Sequence, residues 1–285
     1  MDQTDRAKQK DAEAPAEILG DLDGLIGMDE VKAQVRKTVN LIELGKVRER
    51  AGLPHLDLTP HLVFTGKSGT GKTTVARIIG RAYKEIGFLK SGHMIEAHRG
   101  HLVGEYIGHS APKTKAVIEK AMDGVLFIDE AYSLAPPNIP NDFGKDVIAT
   151  LITEMEENRG RLVVIVAGHK DEMDHFLDSN PGLKSRFKTF IDFKDYSPTD
   201  LLKILVHMAA EAGNRFSADA MTATLLLMES IDTGQKGFGN GRTVRNIFEE
   251  CLGRLATRFA TSRGKVDVTM FERDDIPKVG EMKFF

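Results

Sequence analysis

The chain has 285 residues, 41% of them hydrophobic and 28% charged, with 27 glycines and 10 prolines, a length for one large or two modest domains and a composition that excludes the disordered and fibrous classes. Its 39 basic and 42 acidic residues leave a formal charge of −3, too little for a long-range field that captures nucleic acid or anionic lipid, and the absence of tryptophan leaves few platforms for stacking single-stranded bases. A single cysteine, Cys251, excludes an internal disulfide framework, no stretch approaches the roughly 20 apolar residues of a membrane span, and the polar first residues lack a signal-peptide core, so the expected compartment is the cytoplasm.

Residues 1–20 are charged and alanine-rich with no sustained apolar period, which predicts a flexible tail. Within residues 28–44, Val31, Val35, Val39 and Ile42 recur at the spacing of an amphipathic helix. Short runs rich in Val, Ile and Phe follow at 61–65, 93–96, 124–128 and 161–167, each separated by helical pattern, as buried parallel strands are. Residues 187–193 read as a fifth strand, interrupted by Lys188 and Asp192. Alternating strands and helices predict a doubly wound α/β domain over 21–195, with its ligand at the carboxyl ends of the strands. Beyond 196, Ser197-Pro198-Thr199-Asp200 is an N-cap with Pro at the first helical position. Helical patterns at 201–212, 218–230 and 243–259, with a glycine-rich loop at 233–241, predict an all-helical second domain over 196–285.

Gly66-Lys67-Ser68-Gly69-Thr70-Gly71-Lys72-Thr73, followed by Thr74, fits G-x-x-x-x-G-K-[ST] between an apolar strand and a helix. Glycines there let successive backbone N–H groups curl round a β-phosphate that also sits on the positive end of the next helix. Lys72 is placed to bridge the β- and γ-phosphates and the Thr73 hydroxyl to ligate Mg²⁺. The strand at 124–128 ends in Asp129-Glu130, where Asp129 supplies the metal-side carboxylate and Glu130 a base for the attacking water. A water-activating base distinguishes an ATP hydrolase from a small-molecule kinase, and no Asn-Lys-x-Asp stretch supports guanine. His98, His101 and His109 lack the cysteine partners or helical spacing of a metal site.

These motifs, together with Gly104-Glu105-Tyr106-Ile107-Gly108, Ser179-Asn180-Pro181-Gly182-Leu183-Lys184-Ser185-Arg186 and Gly241-Arg242-Thr243-Val244-Arg245, resemble the AAA+ ATPases of the CbxX/CfqX type, a group that includes the red-type Rubisco activases. The likeness runs from about Leu22 to Phe259 and is most specific over 102–115. It implies a P-loop AAA+ parallel-sheet core followed by a small helical lid, and a hexameric ring that hydrolyses ATP with Mg²⁺ to remodel a protein partner. That partner could be the tail of the Rubisco large subunit, threaded through the pore. Relatives in sporulation and type VII secretion systems offer another cargo, and a DNA-handling AAA+ protein is a further alternative.

The resemblance also implies residue roles. Ile26 and Gly27 would line the adenine pocket, the alternative being a hydrophobic staple at a helix start. Arg186 would act as an arginine finger on the neighbouring subunit's γ-phosphate, with Lys184 standing where relatives often carry a second Arg. His169 would be the polar sensor ending the fourth strand, and Arg242, or Arg245 one turn on, the sensor of the lid. Tyr106, with Ile107 and Gly108, would form a pore loop that grips a threaded chain, glycines on both sides allowing its stroke. The row Arg254, Arg258, Arg263 and Lys265 reads as a solvated face rather than a nucleic-acid patch.

Overall fold

A computed structural model describes residues 20–54, 56, 58–137, 142–235 and 237–281; the predicted tail, apart from Gly20, lies outside them. Contacts divide the described residues into two units, one formed by 20–25, 29–66 and 72–193, the other by 26–28, 67–71 and 194–281.

The first unit contains α1 (Asp29–Arg50), β1 (Leu62–Gly66), α2 (Lys72–Glu85), β2 (Met94–Ala97), the one-turn α3 (Arg99–Leu102), α4 (Ser110–Ala121), β3 (Gly124–Ile128), α5 (Gly144–Glu157), β4 (Leu162–Gly168), α6 (Lys170–Asp178), α7 (Pro181–Arg186) and β5 (Thr189–Phe193). All five strands pair in parallel, in the order β2-β3-β4-β1-β5. β3 and β4 are buried along their whole length, which is why their sequences read as unbroken apolar runs rather than alternations. At the sheet edge, β5 buries Ile191 and Phe193 and exposes Phe190 and Asp192. Strand period 2 thus explains the polar Asp192, whose carboxylate accepts from Thr65 Oγ1 at 2.7 Å. The strand starts two residues later than its pattern predicts, because Phe187 caps α7 and packs into the core instead.

The second unit contains α8 (Pro198–Glu211), β6 (Arg215–Phe216), α9 (Ala218–Glu229), α10 (Gly241–Thr261) and β7 (Met270–Phe271). Ser197 Oγ accepts from the Asp200 N–H at 3.1 Å and Ser217 Oγ from the Ala220 N–H at 3.3 Å, capping α8 and α9. The unit is helical as expected, with one small addition: β6 and β7 pair in parallel with Phe216 opposite Phe271. Two residues are too few to show a strand period, and ring packing at 5.2 Å on a buried Phe271 holds them together. The expected solvated basic face is partly corrected. Arg258 holds the buried Asp275 carboxylate at 2.7 Å, and Arg254 reaches Glu250 and Glu281.

Candidate functional site

The end of β1 becomes the phosphate-loop candidate because Gly66 adopts φ +141°, and a Cβ there would lie 2.3 Å from the Phe193 carbonyl oxygen, so only glycine fits beside β5. α2 begins at Lys72, with Thr73 and Thr74 next and no acidic residue in its first turn. Its positive end is therefore not neutralised by the helix's own first-turn acids. Lys72 is largely buried and donates from Nζ to the Gly66 carbonyl at 2.7 Å, while Thr70 Oγ1 donates to the Lys67 carbonyl at 2.8 Å.

Asp129 and Glu130 follow β3 directly. Glu130 is exposed and left-handed, with φ 50° and ψ 43°, an uncommon conformation for a residue with a Cβ. Its N–H donates to Asp129 Oδ1 at 3.0 Å, orienting that carboxylate. His169, exposed, follows β4 and precedes α6. The pairs Thr65↔Gly168 and Ile128↔Val166 bring Gly66, His169 and Asp129 to one edge of the sheet. The β1 and β3 ends are separated by β4 alone, about 10 Å apart. Tyr132, which no motif signalled, packs its ring against Gly168 and 6.4 Å from that of His169. Burial, then the charges of Glu130, Glu172 and Asp129, push its phenol above the ordinary range. Thr73 and Asp129 offer a hydroxyl and a carboxylate, the hard oxygen donors Mg²⁺ takes. With so few donors, the remaining positions of such an ion would fall to substrate phosphates and water, the usual way proteins hold Mg²⁺.

The opposite edge holds Arg186. It closes α7 three residues before the start of β5, and Leu62 pairs with Thr189, so Arg186 lies beside the start of β1, roughly 13 Å of strand away from its own Gly66. There it pairs with Glu156 at 3.2 Å and helps line a cavity of about 360 Å³ with His61, Arg159 and Glu156. His61 is buried, its Nδ1 accepts the Val164 N–H at 3.0 Å, and burial, reinforced by Arg186 and Arg159, pulls its pKa down to about 3. Lys184 pairs instead with Asp178.

Tyr106 and Ile107 are 66% and 85% exposed, so neither belongs to the core. The two flanking glycines differ. Gly108, at φ +82°, has open space around it, whereas Gly104 packs on His109 and donates its N–H to Ser110 Oγ at 3.1 Å. The expectation that both glycines free the loop is corrected accordingly: close backbone packing pins one side. His98 is occupied in capping α3, accepting from the Gly100 N–H at 3.1 Å.

In the second unit, Ile26 and Gly27 are half-buried, Gly27 at φ +65° against the Asp200 carboxylate, and Met28 lies against Gly71. Arg242 and Arg245 are both exposed on α10, and the Arg242 backbone N sits close to Gly69. Lys67 Nζ binds Asp195 at 2.6 Å. Asn240, buried and at φ 49°, joins that group. Neither Asp195 nor Asn240 carries a motif that marks it in the sequence.

The profile of the AAA family (ATPase family associated with various cellular activities) matches residues 62–195, and that of the AAA lid domain matches 197–283. Among curated proteins, the chain is 42% identical to CbbX of Cereibacter sphaeroides over 90% of this chain and 85% of that one. It is 42% identical to the chloroplastic ribulose bisphosphate carboxylase/oxygenase activase of Cyanidioschyzon merolae over 92% and 91%. It is 44% identical to stage V sporulation protein K of Bacillus subtilis over 85% and 76%. In fold it is similar to the FIGL-1 AAA domain solved with ADP, at a TM-score of 0.60 and 18% identity, over 90% of this chain and 79% of that one. Among the described residues no helix is long and apolar enough to cross a membrane.

Proposed function

From the premise that the chain belongs to the AAA ATPase family and hydrolyses ATP, we propose that hydrolysis drives a cytoplasmic ring of subunits, a hexamer, to remodel a protein partner, and that the partner is Rubisco. The observation that supports the motor reading is that the β1 end at Gly66, the Asp129-Glu130 pair and the polar end of β4 at His169 stand at one edge of a parallel sheet. The loop from Gly66 to Thr74 cradles the phosphates, and Ile26 and Gly27 border the base. Thr73 and Asp129 would hold Mg²⁺, which neutralises charge on the β- and γ-oxygens when bound. Glu130 accepts a proton from the water that attacks the γ-phosphorus as the bond to ADP breaks, His169 orients that water, and Arg242 senses the nucleotide from the lid. Arg186, too far from its own loop, serves the next subunit's γ-phosphate. Support for a protein cargo comes from the exposed Tyr106 and Ile107 beside the sterically free Gly108, a grip suited to non-specific apolar contact.

Rubisco as cargo rests on the CbbX and activase relatives. The equally similar sporulation protein favours a second reading, the same motor serving another system. An ATPase and carboxylation assay with an inhibited red-type Rubisco separates them. Stimulated hydrolysis with recovered carboxylation, both lost in Tyr106→Ala without loss of basal hydrolysis, is the expected result. Hydrolysis indifferent to Rubisco would move the cargo to the second reading.

A further inference from the structure

Four consecutive carbonyls of the phosphate loop are held by hydrogen bonds. Two holders belong to the loop region itself: Lys72 Nζ for Gly66 and Thr70 Oγ1 for Lys67. The next two come from the turn before α10. Asn240 Nδ2 donates to the Ser68 carbonyl at 3.4 Å, and the Gly241 N–H donates to the Gly69 carbonyl at 3.0 Å. Because a trans peptide is planar, with its C=O and the following N–H pointing opposite ways, fixing the Ser68 and Gly69 carbonyls fixes the directions of the Gly69 and Thr70 N–H groups. Those are donors on which a phosphate cradle depends.

The orientation of the Asn240 carboxamide is settled by its surroundings. The Tyr196 N–H donates at 2.9 Å and can only meet an oxygen, so Oδ1 faces it. Nδ2 is thereby turned to the Asp195 carboxylate at 2.8 Å and to Ser68. Asp195 is fixed in turn by Lys67, whose Nζ also donates to the Thr233 carbonyl at 3.1 Å. Asn240 is fully buried at φ 49° and ψ −119°, a costly backbone state that these bonds stabilise. Approach is close enough that a Cβ on Gly69 would lie 2.1 Å from the Gly239 carbonyl oxygen.

We propose that Asn240 is a positioning residue for nucleotide binding: its carboxamide, with the Gly241 N–H, aligns the Gly69 and Thr70 amides of the phosphate loop from the side away from the phosphates. The inference rests on the reading of residues 66–73 as the nucleotide site. Shifting the turn before α10 would release both carbonyls together, so the geometry of that turn and the affinity for phosphate are linked through one side chain and one amide.

The test titrates full-length protein with N-methylanthraniloyl-ATP and measures steady-state KM and kcat. Asn240→Asp keeps the acceptor for Tyr196 and removes the donor to Ser68, and Asn240→Gly keeps the positive φ without strain. Both are expected to weaken binding about fivefold or more, the scale of a lost buried hydrogen bond, with KM rising and kcat changing less. Wild-type protein that binds no nucleotide overturns the site itself. Wild-type binding with both folded variants within twofold of it overturns only the role of Asn240. Misfolding of Asn240→Asp is controlled by the glycine variant, whose circular dichroism and melting should match wild type more closely.

Discussion

At the carboxyl edge of the parallel sheet, the backbone of Gly66 and Glu130 stands at positive φ, Glu130 is exposed, and α2 starts without an acidic residue in its first turn. At the amino edge, charge is compensated inside the unit: Arg186 and Arg159 share Glu156, Arg161 chelates Asp123 at 3.1 Å, and His61 is kept neutral. On the proposed function the first edge keeps its strain and its charges for the nucleotide, while the second settles its charges with its own side chains. Arg186, though paired with Glu156, is settled only in part. Its Nε is buried without a hydrogen-bond partner while its head group lies at a cavity. On the function proposed above, a guanidinium so placed serves a neighbouring copy of the chain rather than its own loop.

The largest test of this contrast is Arg186→Ala. Hydrolysis by assembled protein should fall by about 10³-fold or more, as for other arginine fingers, while isolated subunits bind ATP within about twofold of wild type. A large loss of affinity in dilute protein would place Arg186 at its own site and erase the distinction between the edges. Glu130→Gln should come next, with turnover down by roughly 10²–10⁴ and nucleotide binding retained in equilibrium titration. Turnover above a tenth of wild type would remove Glu130 from the role of base.

The smallest effect concerns the amino edge alone. With His61 near 3 in the folded protein and 6.5 when free, the unfolded chain binds the proton first as pH falls. His61 therefore costs stability progressively from about pH 6.5 towards 3, on the order of 1.4 kcal/mol per pH unit, and costs nothing above 6.5. Urea melts of wild type and His61→Asn across that window should give a shallower pH slope for the variant. Parallel slopes would show that His61 takes up its proton in the folded state.

The ligand edge was legible in the sequence because its chemistry is local. Gly66–Thr73 and Asp129-Glu130 each carry their signal within a few consecutive residues, and β3 and β4 announce themselves as unbroken apolar runs. β5 was harder, since an edge strand buries one face only and Asp192 breaks the run. β6 and β7 were invisible, being two residues each. His61 reads as an ordinary polar residue before a strand until its ring meets the Val164 amide, 103 positions away.

What the sequence by itself determined is the class of machine: an α/β phosphate-binding core with an acidic strand end, followed by helices. Short motifs suffice for that, because phosphate and water chemistry demand particular groups at fixed local spacing. Only the tertiary structure decided which groups share an edge, that Arg186 lies by the start of β1 and Gly66 at its end, and that Asn240, 172 residues from Ser68, holds that residue's carbonyl. Those arrangements depend on strand order and on contacts between distant segments, and no local pattern of residue types records them.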